Sequence, residues 1–88
     1  MESFIKDPDA VLDYERDWTS WLNGDTIASS QFIVPDGITV DSNTNTDTHT
    51  IVWLSGGTVG TKYRVTNRIT TVGGRTDDRS FLINIKEK

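Results

Sequence analysis

KYRVTNRITTV, residues 62–72, alternates with a period of two. Tyr63, Val65, Ile69 and Thr71 share one parity, while Lys62, Arg64, Thr66, Arg68 and Thr70 share the other. Such alternation describes a strand with one buried and one wet face. Residues 79–86 repeat it, with Phe81, Ile83 and Ile85 set against Ser80, Asn84 and Lys86. Leu82 breaks the alternation, as a residue covering a sheet edge would. GGRTD, residues 73–77, lies between the two runs and is rich in turn formers, so the pair reads as a β-hairpin. Parity also constrains the connection. The inward residues of both strands carry odd numbers, so opposed residues sum to an even number and the loop holds an odd count. Three or five residues are expected, not the two-residue Gly-Gly turn.

Working outward, the earlier strands are shorter. In residues 10–18, Leu12, Tyr14 and Trp18 face one way and Asp13, Glu15 and Asp17 the other. Arg16 interrupts the apolar parity, which fits a place near a sheet edge. Asn23-Gly24 is a turn signal. Residues 26–34 form the next strand, with Phe32 and Val34 on one parity and Ile27 and Ile33 on the other, and Pro35-Asp36-Gly37 ends it. Ile38 to Val40 is a short strand. Residues 41–48 are polar throughout and offer nothing to a core. Residues 49–55 are apolar on both parities, Ile51 and Trp53 against Val52 and Leu54. About six or seven short antiparallel strands with turns between them predict an all-β chain folded as an immunoglobulin-like β-sandwich. No segment carries an apolar stripe at helical spacing. Residues 1–9 lack periodicity and read as an N-terminal arm, with 10–88 as a single sandwich domain. Tyr63 follows a Gly-rich loop at the start of its strand, which fits either a tyrosine corner or a plain core-edge tyrosine.

Composition narrows the function classes. The chain has 88 residues, no cysteine and a net charge of −4. No Lys/Arg run supplies a nucleic-acid footprint, and no apolar stretch approaches the roughly 20 residues of a membrane helix. A signal peptide is not expected, nor a disulfide, and the absence of cysteine favours assembly in a reducing cytoplasm.

Catalytic and metal patterns fail on their spacing. His49 is the only histidine, and no serine sits in a Gly-x-Ser-x-Gly turn. Asp41, Asn43, Asn45 and Asp47 imitate the start of a calcium loop, but Thr46 stands where Gly is needed and Val52 where Glu is needed. Gly57 to Lys62 misses the phosphate-loop spacing because Lys62 does not follow the second glycine. A two-carboxylate hydrolase needs a cleft that a chain this small does not promise. We therefore expect no catalytic, cofactor or metal residues and no enzyme activity.

Three tryptophans in so short a chain invite a different chemistry. Trp18 shares a face with Leu12 and Tyr14 and is assigned to the core. Trp21 and Trp53 are candidate interface anchors, since aromatics are enriched at interface cores. Phe4 and Ile5 form an apolar pair in a polar arm, suited to docking on the chain's own sheet edge or on a neighbour. Arg75, Asp77, Asp78 and Arg79 crowd the last hairpin, as a solvated loop or as polar contacts to a partner.

FIKDPDAVLDYERDW (4–18), WLNGDTIASS (21–30), VWLSGGTVGTKYRVTNRITT (52–71) and GRTDDRSF (74–81) together resemble a group of small tailed-phage and prophage proteins. These are described as fiber–tail adaptor or tail-associated immunoglobulin-like proteins. The resemblance runs from Phe4 to about Lys86, with Phe32 where the group often carries Trp. It implies a non-enzymatic virion structural protein, a tail or neck adaptor or connector. The implied partners are other virion proteins, without nucleic acid or membrane, in several symmetric copies assembled in the bacterial host cytoplasm. The rival reading is a binding module for a host-surface glycan or protein, with Trp21 or Trp53 stacking on sugar rings.

Overall fold

The computed structural model describes residues 2–87. Met1, where the expected arm begins, and Lys88, where the expected domain ends, lie outside them. The elements run β1 (Glu2–Lys6), β2 (Leu12–Asp17), α1 (Thr19–Leu22), β3 (Ile27–Ile33), β4 (Ile38–Asn45), β5 (His49–Gly56), β6 (Lys62–Thr71) and β7 (Thr76–Ile85). They build a four-stranded sheet, β1-β7-β6-β3, and a three-stranded sheet, β2-β5-β4. Lettered in chain order, β2-β5-β4 is B-E-D and β7-β6-β3 is G-F-C, the immunoglobulin arrangement. The first strand lies beside G. The chain is thus the β-sandwich that its periodicity predicts.

The last hairpin obeys the parity rule. Tyr63 faces Ile83, Val65 faces Phe81 and Thr70 faces Thr76. Thr71 N–H donates to Arg75 O at 2.8 Å and Gly74 N–H to Thr71 O at 3.0 Å. Three residues, 72–74, therefore make the loop, and Gly74 takes the left-handed conformation that such a loop requires, at φ +90°. β7 starts three residues earlier than its apolar alternation suggests, at Thr76.

Other elements depart from expectation. Not all pairing is antiparallel, because β1 runs parallel to β7 with Phe4 opposite Ile83. Residues 2–6 of the expected arm dock on the chain's own sheet edge, the first of the two placements open to Phe4 and Ile5, and form the edge strand of the larger sheet. Phe4 turns inward, its ring 5.1 Å from Tyr14 and 5.6 Å from Phe81. Lys6 also turns inward and is wholly buried. Its Nζ donates to Gly56 O at 2.7 Å and Asp7 O at 2.9 Å, tying β1 to β5. Burial pushes the Lys6 ammonium below its usual pKa. The polar 41–45 stretch continues β4 past a bulge at Asp41, and one helical turn, α1, follows Trp18. Ile33 and Leu12 are partly exposed, at 42% and 37%.

Two apolar clusters fill the interior. The larger joins Tyr14, Val52, Leu54, Val65, Phe81, Ile83 and Ile85 between the sheets. The smaller gathers Trp18, Leu22, Ile27 and Ile69 under α1 at one end. Tyr63 forms the corner, its hydroxyl accepting from Thr58 N–H at 3.0 Å. Arg16 does lie on an edge strand, its guanidinium over the Phe81 ring and paired with Glu2.

Candidate functional site

At the α1 end of the sandwich, three of the candidate interface residues come together. Arg75 stacks on Trp21 with Cζ 4.2 Å from the ring centre. Its guanidinium donates to Leu22 O at 2.7 Å, Trp21 O at 3.3 Å and Asp25 Oδ2 at 3.3 Å. The carbonyls left free by the single helical turn thus find a cation. Asp25 also accepts from Thr26 N–H at 2.8 Å and Gly73 N–H at 3.1 Å. Hydrogen bonds, first from the Thr71 hydroxyl and then from Thr26, Gly73 and Arg75, hold its carboxyl at about 2. Beside this clamp Arg79 stacks on Trp18 at 4.3 Å and donates to Asp17 O at 3.1 Å. Trp21 stands edge-on to Trp18 at 5.5 Å. Asp78 is on the outer sheet surface instead, taking two bonds from Arg68 at 2.8 and 3.0 Å. Asp77 is half-buried on the inward parity of β7.

Trp53 belongs to a separate region, the outer face of the three-stranded sheet. β5 turns Ile51, Trp53 and Ser55 outward there, and Trp53 is 43% exposed. It stands between Asp13 of β2 and Ser42 of β4, and Ile51 stands between Glu15 and Thr44. Asp17 follows Asp13 and Glu15 along β2, and Asp41 accepts from Ser55 Oγ at 2.8 Å. No Lys or Arg projects from this face among the described residues. Hydrogen bonding from Thr19, then its neighbour His49, keeps the Asp17 carboxyl below its usual range.

The outer face of the four-stranded sheet has the opposite charge. Lys62, Arg64 and Arg68 project from β6, and the bond from Arg68 lowers the Asp78 pKa while raising that of Arg68. Lys62 and Arg64 have no carboxylate within ion-pair distance among the described residues. Ile5, 48% exposed, Ile33, 42% exposed, and half-buried Leu82 add an apolar component. Phe4 and Ile5 are therefore split, one toward the core and one outward.

His49 sits at the start of β5 with Nδ1 2.7 Å from Thr48 Oγ1 and Nε2 3.6 Å from Asp17 Oδ1. Asp41, Asn43 and Asn45 are drawn out along β4, and Asp47 lies in the connection to β5. No group of three His, Cys, Asp or Glu side chains placed to hold a metal occurs among the described residues.

A family model described as podophage GP4 fiber-tail adaptor protein gp77 matches residues 6–84. The chain belongs to this family. The adaptor is therefore a phage structural component of the virion, working among tail and fiber proteins. A comparison with curated proteins finds no match.

Reading residues by type singled out the adaptor's aromatics and the hairpin charges. It missed Asp25, which organises the clamp, and assigned no interface role to the charged rows of β2 and β6. The signal for those rows is present in the outward parity of each strand, acidic in one sheet and basic in the other.

Proposed function

We propose that the chain is a non-enzymatic connector at the tail or neck of a podophage virion, present in several copies and assembled in the host cytoplasm. The observation that carries this is the adaptor-family match over residues 6–84. A small, rigid sandwich that displays two unlike charged faces is suited to holding larger components in fixed register. A chain without cysteine needs no oxidising compartment to fold.

Mass spectrometry of purified virions, with labelled electron microscopy of the same particles, tests the reading. The expected result is a fixed stoichiometry of several copies and label at the neck or tail. Absence from intact particles would refute it. Label on the fiber tips alone would replace a connector with a host-recognition module.

A further inference from the structure

We propose that the acidic, Trp53-centred outer face of one copy docks on the basic outer face of the four-stranded sheet of a second copy. This rests on the multi-copy adaptor reading and names the surfaces it would use. On the first face Asp13, Glu15, Asp17 and Asp41 surround Trp53 and Ile51. On the second, Lys62 and Arg64, with Arg68 already paired to Asp78, accompany Ile5, Ile33 and Leu82. Each face thus carries apolar side chains within charge of a single dominant sign, and the signs are opposite.

Charge selects which contact can form. A two-fold dimer through Trp53 would set the β2 carboxylates against those of its partner. A two-fold dimer through β6 would oppose Lys62 and Arg64 in the same way. Only the unlike pairing satisfies both faces, with charge steering the encounter and buried apolar atoms supplying most of the affinity. Such a contact is heterologous, and because the faces lie on opposite sides of the sandwich, the first copy keeps its basic face free and the second its acidic face, so a pair still presents one face of each kind. Repetition closes into a ring when the rotation allows it. The principal extents are 41 × 23 × 19 Å, so a broad face offers on the order of the 800 Å2 per partner of a standard interface.

The test uses the full chain in solution, followed by sedimentation velocity and light scattering across concentration and salt. Self-association that weakens as salt rises is expected. Trp53→Ala should raise the dissociation constant about tenfold or more. Asp13→Lys/Glu15→Lys and Lys62→Glu/Arg64→Glu should each be monomeric alone, whereas mixing the two should restore association, a rescue that misfolded variants could not give. A parent that stays monomeric, variants that associate as the parent does, or a mixture that stays monomeric would each overturn the proposal. A monomeric parent whose Trp53→Ala variant drops out of virions would assign the face to another virion protein and also overturn it. A chain found in virions that never self-associates refutes the stacking alone. A self-associating chain absent from virions refutes the adaptor reading alone.

Discussion

Asn67 is fully buried, and its amide makes all four of the hydrogen bonds open to it. Oδ1 accepts from Thr50 Oγ1 at 2.6 Å and Trp18 Nε1 at 3.0 Å. Nδ2 donates to Ser30 Oγ at 2.9 Å and Gln31 O at 3.1 Å. One side chain thus joins β6 to β5 across the sandwich and to β3 within its own sheet. Asn67→Leu would leave the Trp18 and Thr50 donors short of their acceptor, and Ser30 Oγ and Gln31 O short of their donor, and should destabilise the chain by about 2–4 kcal/mol. Tyr14 is the converse case, a buried hydroxyl without a partner among the described residues. Its ring packs against Phe4 and Phe81, and burial, with the Asp13 charge second, raises its pKa. Tyr14→Phe keeps the ring, removes the orphan and should stabilise by about 1 kcal/mol. Urea titrations of both variants check the pair, and equal signs would contradict this account. Asn67 was open to detection in the sequence, because it holds an inward position between Val65 and Ile69. A polar side chain at such a position must be satisfied inside. Which groups satisfy it was not legible, since Trp18 and Thr50 lie far from it along the chain.

The elements legible in the sequence are those whose own side chains carry the pattern. The β6–β7 hairpin is the clearest, down to its odd loop. β1 was hidden because one of its two inward residues is Lys6, so apolar alternation never forms. The 41–45 part of β4 has wet side chains, and only backbone pairing with β5 makes it a strand. α1 is a single turn, too short to express a period. The clamp between α1, β3 and the last hairpin was equally hidden, because Asp25 and Arg75 meet only after folding. It has a pH consequence. Hydrogen bonds depress the folded Asp25 carboxyl from 3.8 to about 2, so its stabilising contribution is complete above the unfolded value and disappears as pH falls through that window. Asp25→Asn should melt below the parent at neutral pH, with the gap closing between about pH 4 and pH 2. Asp17 and Asp78 are depressed in the same direction, so the variant should remain acid-labile with a shallower slope. Melting curves at stepped pH decide it, and a gap that persists at pH 2 would mean that Asp25 acts through something other than its charge.

Across the whole molecule, the first strand pairs with the last, Glu2 opposite Phe81 and Lys6 opposite Ile85. Closing that contact joins the two ends of the chain, the longest loop the fold contains. The entropy of loop closure grows with length, so a long-range pairing is expected late, after the β6–β7 hairpin and its partners have assembled. Phe4 reports on this step, because it is the apolar side chain of β1 packed against the core. Phe4→Ala should cost about 2–3 kcal/mol. If β1 docks after the rate-limiting barrier, nearly all of that loss falls on unfolding. The unfolding rate should then rise roughly 30–150-fold while the folding rate stays within about twofold. Stopped-flow fluorescence can follow this in both directions, with fully buried Trp18 as the internal probe. A folding arm slowed in proportion to the lost stability would instead place β1 in the nucleus. The chain ends would then meet early, and the sandwich would assemble around its parallel edge, not around its hairpin.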